Sequence, residues 1–239
     1  MKWGTRYPAD FVNKLWSMIK RNTTRPTRLV CFTDDGEGVN EEVKIYPLPE
    51  YSAPERAMWN PWRKVSLWQS ELFDLEGDVL FLDLDMIITG HLDEFFDYES
   101  GKYCVIHNWR QPKLQIGNTS LFRFRIGQHS HIYDDFMKDP EAVMAKYEIE
   151  QQYISGEISE QRFWPNEWVL SFKHSLLPKW PLNFFITPKL PKSAKAIAFT
   201  GKPDPDEAAI GVWPLDGKAA WKKLYKHVRS TPWILENWK

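Results

Sequence analysis

DVLFLDLDMIITG, residues 78–90, is the most apolar strand-like run in the chain, and the architecture turns on it. Val79, Leu80, Phe81 and Leu82 have the character of a strand buried on both faces. Such a strand delivers the next residues to the carboxyl edge of a sheet, where loops converge on ligands in α/β folds. Those residues are Asp83-Leu84-Asp85. Two acids at i and i+2 on a regular strand face opposite ways, so they converge only if the strand ends there and the chain turns. Two neighbouring carboxylates repel unless a cation lies between them. Their hard oxygens suit Mg²⁺ or Mn²⁺, ions that complete their shells with water and substrate phosphates. The plainer reading is a strand-end turn bearing two solvated acids.

Elsewhere along the chain, residues 8–22 place Phe11, Leu15, Met18 and Ile19 at helical spacing, with Pro8 suited to a first turn. RLVCFT (28–33) and VKIYPL (43–48) read as short strands, and 62–73 as a helix leading to Gly77. KYCVIH (102–107) and NTSLFRFR (118–125) come after it as strands, the latter alternating inward and outward. Helical patterns recur at 128–138, 140–149 and 218–228, and AKAIAFTG (194–201) forms a last strand. Strands interleaved with helices predict an α/β, Rossmann-type domain around a central, mostly parallel mixed sheet flanked by helices. We expect a single domain over 1–239, with a nucleotide-binding half (1–100) and a half completing the site (101–239). Only Met1-Lys2-Trp3 can supply a strand ahead of the first helix, so that strand is expected to be very short or the start of the domain clipped.

The chain has 239 residues, with 31 Lys+Arg against 32 Asp+Glu and a net charge of -1. That balance argues against a nucleic-acid binder, which shows a basic excess. No stretch approaches the ~20 apolar residues that span a bilayer, and MKWGTRYPADF turns polar before a secretory signal can build. Cys31 and Cys104 each sit in an apolar run and read as reduced packing residues, which predicts a cytoplasmic setting. The 13 tryptophans exceed what packing alone usually calls for, and flat rings also serve sugars and bases by stacking.

FLDLDMIITGHLDEFF (81–96) resembles the Asp-x-Asp segment of GT-A-fold glycosyltransferases. WGTRY, RLVCFTDD, WRKVSLW, NTSLFRF, Glu150-Gln151, NEWVLSFK and FTGKPDP are similar to that family's segments and stand in its order. The closest resemblance is to bacterial members near the glycogenin and lipopolysaccharide-galactosyltransferase group. It implies a nucleoside-diphosphate sugar donor, UDP above all, and a glycan or lipid-linked sugar acceptor, as in bacterial polysaccharide biosynthesis. It implies Mn²⁺ or Mg²⁺ on Asp85, with Asp83 touching metal and ribose. Tyr7 would stack on the base with Thr5 nearby, and Asp34 and Asp35 would meet base or ribose. Lys64 and Lys202 would lie near the phosphates. Asn118, Thr119 and Ser120 would support the donor sugar, and Glu150 and Gln151 would lie beside the reacting carbon, which in this group retains its configuration. Two departures stand out. Glu150 replaces the family's Asp, and Ala198-Phe199-Thr200-Gly201-Lys202-Pro203 lacks the histidine that commonly completes the metal shell.

Residue by residue, plainer roles remain open: Tyr7 as packing, TDDG as a turn, one of Arg63 and Lys64 as a solvated helix residue, and His107 as a structural strand end. Two other functions compete. Strand plus Asp-x-Asp also resembles haloacid-dehalogenase phosphatases, although Ile87 stands where those want Thr or Val. A nucleotide-sugar or glycan-binding protein with degraded catalysis would use Trp59, Trp62, Trp109 and Trp164 as stacking platforms. Finally, WKKLYKHVRSTPWILENWK (221–239) mixes basic and aromatic residues suited to peripheral contact with the inner membrane face. Its plainer reading is a solvated helix packed by Trp221, Leu224 and Val228.

Overall fold

The computed structural model describes the backbone of residues 1–215 and 217–239 and the side chains of 1–215 and 221–239. In chain order the strands are β1 (Val30–Phe32), β2 (Lys44–Tyr46), β3 (Asp78–Leu82), β4 (Met86–Ile88), β5 (Cys104–His107), β6 (Gly117–Arg125), β7 (Arg162–Phe163), β8 (Val169–Ser171) and β9 (Ala196–Ala198). The α-helices are α1 (Ala9–Arg21), α2 (Glu55–Met58), α3 (Asp93–Asp97), α4 (His131–Lys138), α5 (Pro140–Lys146), α6 (Glu150–Glu157), α7 (Pro205–Ile210) and α8 (Trp233–Asn237). Two compact units interleave along the chain: residues 1–12, 28–82 and 94–164 form the first, and 13–27, 83–93 and 165–239 the second.

The first unit holds the parallel pair β1–β2 and a four-stranded sheet in the order β3-β6-β5-β7. Lys2 forms a single parallel bridge to Thr33 beside the pair, which is the very short first strand expected. β6 runs antiparallel to both β3 and β5, and β5 is parallel to β7. The second unit holds β4-β9-β8, antiparallel then parallel. The α/β class and the mixed sheets agree with expectation, but the parallel majority does not appear among the described strands. Three ladders are parallel and three antiparallel.

The helix expected over 62–73 is instead a 3₁₀ helix, Pro61–Trp68. Asn60 starts it by accepting the Trp62 N–H at 2.9 Å, and Pro61 occupies its first position. Its tryptophans enter an aromatic core in the first unit: Trp62 stacks on Phe136 at 5.5 Å, and Trp68 on Phe122 at 6.0 Å. Trp164 is buried too, so of the four proposed stacking platforms Trp62 and Trp164 are packing residues. Cys31 and Cys104 are buried free thiols, as expected.

β6 departs from the alternating pattern. Every residue from Gly117 to Phe124 is buried, including Arg123, which alternation sends outward. As an interior strand between β3 and β5 it is covered on both faces, and the 95–102 segment lies over Arg123.

In the second unit, Met18 on α1 meets the Ile88 amide at 3.4 Å through its sulfur. Nearby, the hydroxyls of Thr23 and Thr24 donate to Asp93 at 2.5 and 2.6 Å, and the Thr24 amide donates at 3.1 Å. These donors stabilise the ionised carboxylate and hold its pKa down at about 2. A depressed acid contributes stability that is complete above its unfolded pKa and is lost as pH falls through the folded one. The difference in unfolding free energy between wild type and Asp93→Asn should therefore be constant above pH about 4 and shrink toward zero near pH about 2. Urea unfolding across that window checks it.

Candidate active site

The segment 83–85 behaves as a converging carboxylate pair requires. β3 ends at Leu82, a turn intervenes, the Met86 N–H reaches the Asp83 carbonyl at 3.4 Å, and β4 begins. DVLFLDLDMIITG is thus two strands in two different sheets, not one. Asp85 is buried and Asp83 half-buried. Two carboxylates suit a hard cation that takes its other ligands from water and phosphate. Among the described residues no group of three or more His, Cys, Asp or Glu side chains gathers, so no closed all-protein site forms. Lys202, also in the second unit, bonds to Asp204 at 2.8 Å and Glu207 at 2.5 Å. Burial pulls its pKa down, but the two carboxylates outweigh it and the net shift is upward.

In the first unit the structure gathers five of the residues singled out in the sequence. Gly117 opens β6 so close to β5 that a Cβ there would lie 2.7 Å from Val105. Its N–H donates to Ser155 Oγ on α6 at 2.8 Å. That close approach brings Asn118, Thr119 and Ser120 beside the start of α6. The Thr119 hydroxyl donates to Glu150 Oε1 at 2.8 Å, and the Lys64 ammonium donates to the Thr119 carbonyl at 2.9 Å. One threonine therefore holds a buried cation by its backbone and a buried anion by its side chain. Glu150 is only 2% exposed and Lys64 6%. Buried charges at this depth need such partners to persist.

The neighbouring polar groups are ordered as well. Asn118 Oδ1 accepts the Ser120 N–H at 3.1 Å, and Asn108 Nδ2 donates to Gln151 Oε1 at 3.4 Å. Arg63 and Lys64 are both buried, so neither is the solvated helix residue that the sequence allowed. Arg63 lies over the Tyr51 and Trp59 rings at 5.4 and 5.1 Å. Burial lowers its pKa, with Tyr51 and Asp34 opposing that shift.

Toward the chain start, Asp34 Oδ2 accepts the Gly4 N–H at 3.0 Å, closing the TDDG turn onto WGTRY. Thr5 is exposed there. Tyr7 packs on Phe11 at 4.9 Å and lies under Arg6, so the packing reading describes its ring in this structure. His107 meets the Leu114 carbonyl at 3.0 Å and packs on Phe163, a structural strand end. Asn108 and the bridging part of Thr119 escape a reading of the sequence, because neither spacing nor residue type announces bonds across 43 and 31 positions.

No family model matches the sequence, and no curated protein matches it. Solved structures do match. The galactosyltransferase LgtC, in complex with donor and acceptor sugar analogues, aligns over 82% of this chain and 85% of its own, with TM-score 0.55 and 11% identity. The glycosyltransferase GlyE of Streptococcus pneumoniae TIGR4 aligns over 93% of this chain and 58% of its own, with TM-score 0.56 and 12% identity. The bifunctional glycosyltransferase WbbM aligns over 82% of this chain and 44% of its own, with TM-score 0.51 and 12% identity. The chain thus has the GT-A glycosyltransferase fold.

Proposed function

We propose that this protein is a glycosyltransferase that moves a sugar from a nucleoside-diphosphate donor, UDP-linked, to a hydroxyl of a glycan or lipid-linked acceptor, with retention at the anomeric carbon. The observation that carries the reading is the Glu150–Thr119–Lys64 network, which keeps a carboxylate and an ammonium poised together below the surface. The shared fold supports it.

Breaking the bond between sugar and diphosphate leaves negative charge on the departing phosphate and positive charge on the sugar. Lys64 answers the first and Glu150 the second, as charges held in place before reaction. Asn118 and Gln151 would orient sugar hydroxyls, and Asp34 and Thr5 would meet the nucleoside, with Tyr7 stacking on the base only once its ring leaves Phe11 and Arg6. Asp83 and Asp85 would hold Mn²⁺ or Mg²⁺, which when bound neutralises diphosphate charge. Lys202 would join them by exchanging Asp204 and Glu207 for phosphate. No observation favours the phosphatase reading.

The direct test is incubation with a panel of UDP-sugars and Mn²⁺, with UDP release and the anomer of the product monitored by NMR. Asp85→Ala is expected to weaken Mn²⁺ binding in calorimetry and to lower turnover by about a hundredfold or more. Unchanged Mn²⁺ affinity would remove Asp85 from the scheme. Donor binding without turnover would instead mark a nucleotide-sugar-binding protein.

A further inference from the structure

Arg63 has no task in sugar transfer as outlined, yet it is as deeply buried as Lys64 beside it. Its Nη1 donates to the Met58 carbonyl at 3.1 Å, and its Nε is buried with no partner. Nη2 bonds to no described residue and is not sealed from solvent. No carboxylate among the described residues bonds to this guanidinium. A buried cation ordinarily persists with an anion against it. Asp34 opposes the effect of burial on Arg63, but it is exposed and already accepts the Gly4 N–H. The place of a counter-ion is therefore left to a ligand.

That ligand group is not the one Lys64 meets. The two residues are consecutive in the Pro61–Trp68 3₁₀ helix, where neighbours point about 120° apart. Lys64 turns to the Thr119 carbonyl at 2.9 Å and the Phe81 ring at 5.1 Å. Arg63 turns instead to Met58, Tyr51 and Trp59. A substrate whose diphosphate meets Lys64 thus presents another group to Arg63. Tyr51 lies within electrostatic reach of both Arg63 and Glu150, which ties this direction to the carboxylate assigned to the reacting sugar. All these residues belong to the first unit. Nε and Nη2 carry parallel N–H groups, the edge of a guanidinium that receives a carboxylate through two bonds. Trp59 lies over the guanidinium and is 54% exposed, so its ring has room to swing and admit a ligand to that edge. Neutral sugar hydroxyls would leave the buried charge uncompensated, whereas a carboxylate compensates it.

We propose that Arg63 makes the site selective for an acidic sugar, a hexuronic acid whose carboxylate it receives. The inference rests on the donor reading above and names its substrate class. The carboxylate can arrive on the donor or on the acceptor, and calorimetry separates the two. In one arm the protein binds UDP-glucose and UDP-glucuronate, and their galacto epimers. In the other, saturated with UDP, it binds methyl glucoside and methyl glucuronide, with the same epimers. In one arm the acidic ligand is expected to bind about tenfold or more tightly than its neutral twin. Arg63→Met should abolish that preference and leave the neutral ligand's affinity unchanged. Arg63→Lys keeps the charge but not the fork, and should lose most of the preference. Unchanged or raised thermal midpoints serve as the folding control. A lack of preference in both arms, or a preference that survives in both variants, would overturn the proposal. So would an equal loss of affinity for UDP and all its sugars in Arg63→Met, which would put the guanidinium on the diphosphate. Bound UDP without an acid preference defeats this inference alone, whereas a protein that binds no UDP defeats the donor reading and this inference with it.

Discussion

Replacing Arg123 by methionine is expected to lower the unfolding free energy by about 4 kcal/mol. Arg123 is 1% exposed and has no carboxylate among its bonded partners. Its Nη1 donates to the carbonyls of Phe95, Phe96 and Tyr98 at 2.6, 3.1 and 2.7 Å. Its Nη2 donates to those of Glu99 and Lys102 at 2.5 and 3.1 Å and to Cys104 Sγ at 3.3 Å. The guanidinium therefore satisfies the carbonyls at the end of α3 and in the turn after it, groups that a helix leaves without partners of its own. Methionine fills similar space but donates nothing, so the buried Phe95 carbonyl and the part-buried ones of Phe96 and Tyr98 lose this donor, while Glu99 keeps the Lys102 N–H, at a cost of about 1–3 kcal/mol for each one left dry. Lysine should not rescue the loss, because three donors on one nitrogen cannot span carbonyls that a planar fork reaches. Denaturant unfolding of R123M and R123K checks both statements. A loss below about 1 kcal/mol would show that water replaces the fork.

Glu150→Gln is expected to lower kcat by about a thousandfold with little change in donor affinity. The amide keeps an oxygen for the Thr119 hydroxyl, so the local hydrogen bond survives while the negative charge is lost. If Glu150 opposes positive charge that develops on the sugar only in the transition state, its removal reaches kcat and spares binding. Separate measurement of kcat and donor Kd checks the split. Equal turnover in the two proteins would make Glu150 a packing acid whose task is to balance Lys64.

Much of the fold was legible in the residues. The apolar run into Asp83 and the strand at 102–107 arise from short continuous apolar stretches, the helix near the chain start from a 3.6-residue period, and each is found. The Asp83–Asp85 turn was legible for the same reason, since two acids after a buried strand can converge only by leaving it. The candidate site was legible as residue types but not as a network. Glu150 and Lys64 stood out by resemblance, while the fact that both are gripped by Thr119 depends on how β6, α6 and the Pro61–Trp68 helix pack.

Neighbours along the chain therefore suffice for the α/β class, the break after Leu82 and the reduced cysteines. Contacts between distant segments were needed to place Arg123 inside, to pack Trp62 and Trp164 while Trp180 and Trp221 face water, and to divide the sheets evenly between parallel and antiparallel ladders. Burial belongs to a surface that two such segments share. The free energy that sends a guanidinium inward or leaves an indole exposed comes from the segment that covers it, and the spacing of residues along one strand or helix does not say which segment that is.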